Sequence, residues 1–280
     1  MKVLVTGANG QLGYDVVKRL EQNKIGYLGT DIDTLDISNE EQVKRVINDY
    51  NPDVVIHCAA YTAVDKAEDE RKLCYAVNVL GTRYVADSCK ETNAKMVYIS
   101  TDYVFDGEGD KPFEVTDTPN PVNYYGQTKH EGELEVQKSL EKCFIIRISW
   151  VFGIHGNNFV KTMLRLGKER DELSVVSDQI GSPTYTYDLA GLLVDMIQTE
   201  KYGIYHATNE GYCSWYEFAC EIFRQAGIDI KVNPIKTEDY PTKARRPKNS
   251  RLSKELLYEF KKLKKWQTAL KNYLNSYEMR

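Results

Sequence analysis

The 280 residues contain no run near the roughly 18 consecutive apolar residues of a membrane-spanning helix, so no span is expected. Histidine is scarce, at four positions. None of them stands at metal-ligand spacing from the six cysteines, Cys58, Cys74, Cys89, Cys143, Cys213 and Cys220. No two of these form a Cys-x-x-Cys pair either. A disulfide framework and a zinc site are therefore not expected, and the cysteines read as small buried hydrophobes in the reduced state. Positive charge is not in excess: 37 Lys+Arg stand against 41 Asp+Glu, a net charge of −4. A mildly acidic chain has no electrostatic reason to hold nucleic acid or an anionic membrane. Internal repeats and low-complexity linkers are absent. The N-terminus, Met1-Lys2-Val3-Leu4-Val5, enters a strand pattern without the long apolar stretch of a signal peptide, so a cytoplasmic location is expected. With 42% hydrophobic and 28% charged residues, global disorder is excluded. The length suits one large domain or two modest ones.

What is present is alternation. Short apolar strands at 2–6, up to Asp31, 53–57, 95–100 and 143–148 are separated by helical periods at 12–20, 40–49, 75–91 and 124–140. That pattern predicts an α/β fold of the Rossmann type, a doubly wound parallel sheet with helices on both faces. Ligands of such sheets bind at the carboxyl ends of the strands. After residue 150 the pattern loosens. Helices are expected at 157–168, 187–198 and 214–226, strands near 174–177, 203–207 and 230–235, and a lysine-rich helix (Lys261 to Lys265, then Trp266) at the end. The expected division is a dinucleotide-binding domain over 1–150, to which parts of 157–208 return, and a smaller C-terminal substrate-binding lobe over 151–280.

The first strand runs into Thr6-Gly7-Ala8-Asn9-Gly10-Gln11-Leu12-Gly13. Gly7 permits a tight turn, Gly10 lets backbone approach a pyrophosphate, and Gly13 allows close helix–strand contact. The helix start at Gln11 and Leu12 then presents amide groups to anionic oxygens. The spacing is Gly-x-x-Gly-x-x-Gly. Asp31 ends the second strand, where an acid either accepts hydrogen bonds from ribose hydroxyls or serves a turn. No Lys or Arg occurs between Asp31 and Glu41, so there is no local clamp for a 2′-phosphate. This favours NADH, while a base folded in from elsewhere would suit NADPH. Asp36 and Ile37 follow in a loop that reaches toward the adenine.

Tyr125-Gly126-Gln127-Thr128-Lys129 sets a phenol and an amine four residues apart at a helix start, on one face. A cation stabilises phenolate and brings the tyrosine toward the working pH, so the pair suits proton exchange with a substrate hydroxyl or carbonyl. Upstream, a strand ends in Ser100-Thr101-Asp102, which offers a hydroxyl to the same substrate oxygen. Strand, hydroxyl, loop, Tyr, Lys and following strand occur in the order a short-chain dehydrogenase requires.

The chain from residue 1 to about 260 resembles the extended branch of the short-chain dehydrogenase/reductase superfamily. Four segments are similar to the dTDP-4-dehydrorhamnose reductase family: Cys58-Ala59-Ala60-Tyr61-Thr62-Ala63-Val64-Asp65, Ser100 to Gly107 (STDYVFDG), Gly181-Ser182-Pro183-Thr184, and Arg246 to Leu252 (RPKNSRL). Tyr103 stands where sugar dehydratases carry Glu, which disfavours dehydration. The resemblance implies reduction by NADPH or NADH of the C4 keto group of dTDP-4-dehydro-β-L-rhamnose to dTDP-L-rhamnose, in dTDP-rhamnose biosynthesis for cell-wall polysaccharide. It implies that Tyr125 donates the proton, Thr101 holds the carbonyl oxygen, and Lys129 lowers the tyrosine pKa and binds the nicotinamide ribose. Ala59, Ala60 and Tyr61 would lie along the cofactor. Thr62, Val64, Asp102, Tyr103 and Trp150 would face the sugar nucleotide, though a tryptophan at a strand end also suits a core. Arg246, in the run Lys243-Ala244-Arg245-Arg246, would contact diphosphate; the same run also reads as a solvated charged surface. Some relatives hold Mg²⁺ through glutamates near residues 185–188. Here that segment has only Asp188, so no metal is expected, and the chain is expected to be a monomer or a homodimer. Another nucleotide-sugar reductase or epimerase, or a non-catalytic cofactor-binding regulatory subunit, are the other readings.

Overall fold

The computed structural model describes residues 1–278. Six strands form one parallel sheet. In chain order, β1 (Lys2–Thr6), α1 (Gln11–Gln22), β2 (Gly26–Thr30), α2 (Glu40–Tyr50) and β3 (Val54–His57) come first. They are followed by α3 (Val64–Ala67), α4 (Arg71–Tyr75), a π-helical turn (Ala76–Gly81) and α5 (Thr82–Glu91). Then come β4 (Lys95–Thr101), α6 (Tyr124–Ser139) and β5 (Cys143–Ile148). The sixth strand, Gly203–His206, joins the far edge beside β5, and the order across the sheet is β2-β1-β3-β4-β5 and then this strand.

Alternation along each strand explains the layers. Val3, Val5, Val54, Ile56, Phe144 and Ile146 point to one face, where they pack on α1 and on the helix Thr186–Met196. Leu4, Val55, Met96, Tyr98 and Ile145 point to the other, under α2, α5 and α6. Helices thus cover both faces, and both sets of side chains are buried. The strand order reverses between β1 and β3, which opens a crevice at their carboxyl ends.

A second apolar cluster lies outside the sheet. It joins Phe152, the helices Phe159–Glu169, Trp215–Ala226 and Trp266–Glu278, and the ribbon of Glu172–Val176 with Lys231–Ile235.

Three expectations need correction. The strand near 174–177 does not return to the main sheet but pairs with the one near 230–235. The helix expected over 75–91 begins at Arg71 and carries the π-helical turn, at which the Asn78 side chain reaches out to the backbone of Tyr61. The lysine-rich segment 261–265 is not helical, and the last helix starts only at Trp266. Four lysines in a first turn would oppose the positive end of the helix dipole.

Candidate active site

The crevice is a cleft of about 730 Å³. One wall is the glycine turn. Gly7 has φ +65°, and a Cβ there would come within 2.7 Å of the Ala59 amide nitrogen; a Cβ at Gly13 would sit 2.0 Å from the Gly7 carbonyl oxygen. Gly10 is the N-cap of α1. No side chain caps this helix, and its first turn has no acid. The opening amide groups therefore face the cleft without an internal acceptor, which fits an anionic pyrophosphate. At the end of β2 the Asp31 carboxylate accepts from the amides of Asn9 (2.9 Å) and Ile32 (2.8 Å). Gln11, Leu12, Asp36 and Ile37 line the same end, and Ala59 and Ala60 continue the wall. Among the described residues lining the cleft, the only Lys or Arg is Lys129, on α6.

Thr101 is the last residue of β4. Its hydroxyl donates to Asp102 Oδ1 (3.0 Å) and accepts from the Tyr103 amide (3.2 Å). Asn123 caps α6 by accepting from the Gly126 amide (2.8 Å), which fixes where the helix starts and hence where Tyr125 and Lys129 point. Tyr125 meets the Tyr103 ring edge-on at 5.8 Å. Lys129 is buried, with Nζ 4.1 Å from the centre of the Tyr98 ring.

Burial dominates the electrostatics here. It pushes the Tyr125 phenol up, the Asp102 carboxylate adds to the rise, and the Thr101 hydroxyl opposes it. Burial takes Lys129 down to about 7 against the pull of Glu133. Burial also takes Asp102 up to about 6, opposed by the Ser250 and Thr101 hydroxyls. Lys129 is not among the influences that move the Tyr125 phenol; burial holds it protonated, which is the form of a proton donor.

Thr62, Val64, Asp102, Tyr103 and Trp150 line the remaining side. Trp150 adopts a left-handed backbone (φ +49°), rare for a bulky residue, and its indole stacks on Trp215 at 3.6 Å. A Cβ at Gly181 would sit 2.7 Å from that indole.

Two expected residues are not in the cleft wall. Tyr61 turns away, its hydroxyl donating to Glu70 (2.7 Å), because Asn78 grips its backbone from both sides. Arg246 donates through Nη2 to Asp65 (2.6 Å), while its buried Nη1 has no partner in the structure. The neighbouring bases are also paired, Lys243 with Asp69 and Arg245 with Glu108. The run is therefore neither a free charged surface nor a preformed part of the cleft. Asp188 is engaged by Asn209 (3.0 Å) and Lys264 (3.7 Å).

Several residues here had no sequence signal. Trp215 lines the cleft from a distant helix, and no local motif marks it. Asn78 lies within a helical period. Glu133 sits on the Tyr125 helix, where nothing in the sequence marks it.

Comparison with known proteins identifies the family. Residues 1–279 match the family model described as the RmlD substrate binding domain. The dTDP-4-dehydrorhamnose reductase of Aggregatibacter actinomycetemcomitans is 44% identical, the match covering 97% of each chain. A crystal structure of a dTDP-4-dehydrorhamnose reductase from Clostridium acetobutylicum superposes with a TM-score of 0.97 at 46% identity over 100% of both chains. One from Bacillus anthracis, in complex with NADP, does so with 0.96 at 45% identity over 98% of this chain and 99% of that one. A full-length match of this kind, on a fold whose strand ends gather the glycine turn, Thr101, Tyr125 and Lys129, places the chain in the dTDP-4-dehydrorhamnose reductase family.

Proposed function

We propose that the protein reduces the C4 keto group of dTDP-4-dehydro-β-L-rhamnose to give dTDP-L-rhamnose, with NADPH or NADH as cofactor. The observation that supports this most is the meeting in one cleft of a half-buried Tyr125 held protonated, Thr101, Lys129 and an uncapped helix start. The reduced nicotinamide, when bound, supplies hydride to C4. Tyr125 donates its phenolic proton to the oxygen that becomes the alkoxide. Thr101 orients that oxygen by hydrogen bonding. Lys129, as an ammonium, binds the nicotinamide ribose hydroxyls and stabilises the phenolate left behind. Gly7, Gly10, Gln11, Leu12 and Gly13 hold the pyrophosphate, and Asp31 the adenosine ribose. Asp36, Ile37, Ala59 and Ala60 pack along the cofactor.

On the sugar side Thr62, Val64, Asp102, Tyr103 and Trp150 shape the pocket. The unpartnered Nη1 of Arg246 offers a donor to the substrate diphosphate on closure. In this reading residues 1–150, with the helix 186–196 and the strand 203–206, carry the cofactor, and the rest of 151–280 forms the substrate lobe. Two further parts of the proposal are a cytoplasmic compartment, suited to six free cysteines, and a metal-free monomer or homodimer that binds no nucleic acid and no membrane. Among the described residues, no helix is long and apolar enough to cross a membrane.

The test is incubation with dTDP-4-dehydrorhamnose and each cofactor, following loss of the reduced nicotinamide absorbance. Turnover is expected, with NADH used at least as well as NADPH, because Lys129 is the only Lys or Arg among the described residues lining the cleft. No oxidation with either cofactor would sink the proposal. Stoichiometric Mg²⁺ in a dimer, by metal analysis and light scattering, would overturn the metal-free reading.

A further inference from the structure

One buried ion cluster lies directly behind the proposed proton-transfer groups. Glu133 follows Lys129 by four residues on α6, so the two side chains share a face one turn apart. Both are buried. Glu133 Oε1 accepts from the Ser100 hydroxyl (2.5 Å) and from Arg147 Nε (2.9 Å), and Oε2 accepts from Arg147 Nη2 (2.7 Å). Ser100 and Arg147 are paired neighbours on β4 and β5. The carboxylate therefore fastens α6 to the ends of two strands, one residue before Thr101. His130 lies 3.6 Å from the same carboxylate.

We infer that Glu133 is a positioning residue for the reduction: it keeps Lys129 an ammonium inside an apolar pocket and fixes the register of α6 against Thr101. The inference rests on the proposed role of Lys129. Among the described residues, no carboxylate from another element acts on the amine as Glu133 does. His57 and Cys58 follow from β3, Cys74 from α4, Tyr98 from β4, and Tyr125 from its own helix; His57 is itself driven neutral by burial and by the Lys129 charge. Glu133 stays ionised, down to about 2, because the bonds from Arg147 and Ser100 and the nearby His130 ring overcome its own burial. It is the strongest influence that opposes the desolvation of Lys129.

The sign follows. Removal of the carboxylate lowers the Lys129 pKa, so the ammonium disappears at a lower pH. The test is an NMR titration of the lysine ε-carbons in the cofactor-free protein, with the Lys129 signal assigned by its loss in Lys129→Met. In the unmodified protein its midpoint is expected near 7. In Glu133→Gln it should fall by about one pH unit or more. In Glu133→Asp, which keeps the charge, it should return most of the way. Because Glu133→Gln leaves a buried guanidinium unpaired and is at risk of not folding, Glu133→Gln/Arg147→Met removes both charges and should show the same lowered midpoint. The falling alkaline limb of kcat/KM should move with the titration in each variant.

An unchanged midpoint in a folded variant lacking Glu133 overturns the inference. So does a midpoint restored by the double substitution, since the unpaired Arg147 would then be the cause. A shifted midpoint without any matching shift in the activity profile leaves Glu133 as the charge partner but refutes Lys129 as the group that activity requires.

Discussion

At the scale of single residues, the proposed reduction depends on one phenol being present and protonated. Replacing Tyr125 by Phe keeps the ring that meets Tyr103 and removes the hydroxyl that carries the proton. We expect turnover to fall by roughly 10²–10⁴-fold, with the dissociation constant for NADPH, measured by fluorescence titration, nearly unchanged. Equal turnover would assign the acid elsewhere. Tyr125 and Lys129 were legible because their spacing places both on one helix face, and Thr101 because it ends a strand. Their ionisation was not. A sequence shows that an amine is near a phenol, but it does not show that both are stripped of water. Desolvation acts on the two groups in opposite directions, raising the tyrosine and lowering the lysine. For the same reason Glu133 was readable only as one more acid on a polar helix.

At the scale of elements, the glycine turn works through contact. The Cβ of a Gly13→Ala protein would lie 2.0 Å from the Gly7 carbonyl, so α1 must move away from the β1 turn. That displacement tilts the opening amide groups away from a pyrophosphate. Loss of cofactor binding by calorimetry is expected, with a lower melting temperature. Retention of both would mean that the turn relaxes without consequence.

The regular strands and long helices of the first half were legible, since most strands hold an apolar run of three or four residues and most helices a full amphipathic period. Two-residue strands such as Ile180–Gly181 and Asn249–Ser250 have too few residues to carry a period. They exist because Lys248 and Gly107 supply neighbouring backbone partners. Trp215 was beyond reach for another reason: it enters the cleft from a helix start more than sixty residues after Trp150, and only packing joins them.

At the scale of the whole molecule, two buried histidines set how the fold meets acid. His57 and His206 are lowered to about 3, first by burial and then by the charges of Lys129 and Arg147. The unfolded chain binds protons at these positions near 6.5 and the folded chain does not, so stability is complete above that pH and is lost as pH falls through it. Asp102, raised to about 6, acts in the opposite direction over the lower part of this range and offsets about one of the two histidines. A net loss of about 1.4 kcal/mol per pH unit remains. Scanning calorimetry should show the melting temperature falling from pH 7 to pH 5, and a flat profile would contradict buried neutral imidazoles.

The paired indoles also give the molecule an optical property. Of three tryptophans, Trp150 and Trp215 are stacked face to face at the cleft and Trp266 is buried in the lobe. Two of the three emitters thus stand beside the place proposed for a chromophore that absorbs where indoles fluoresce. Energy transfer should dim the emission as reduced nicotinamide binds, and the oxidised form should lack that transfer. The exciton signal of the stack in near-ultraviolet circular dichroism should change when a sugar nucleotide parts or tilts the rings. The protein then reports each ligand through a different optical channel without an attached label.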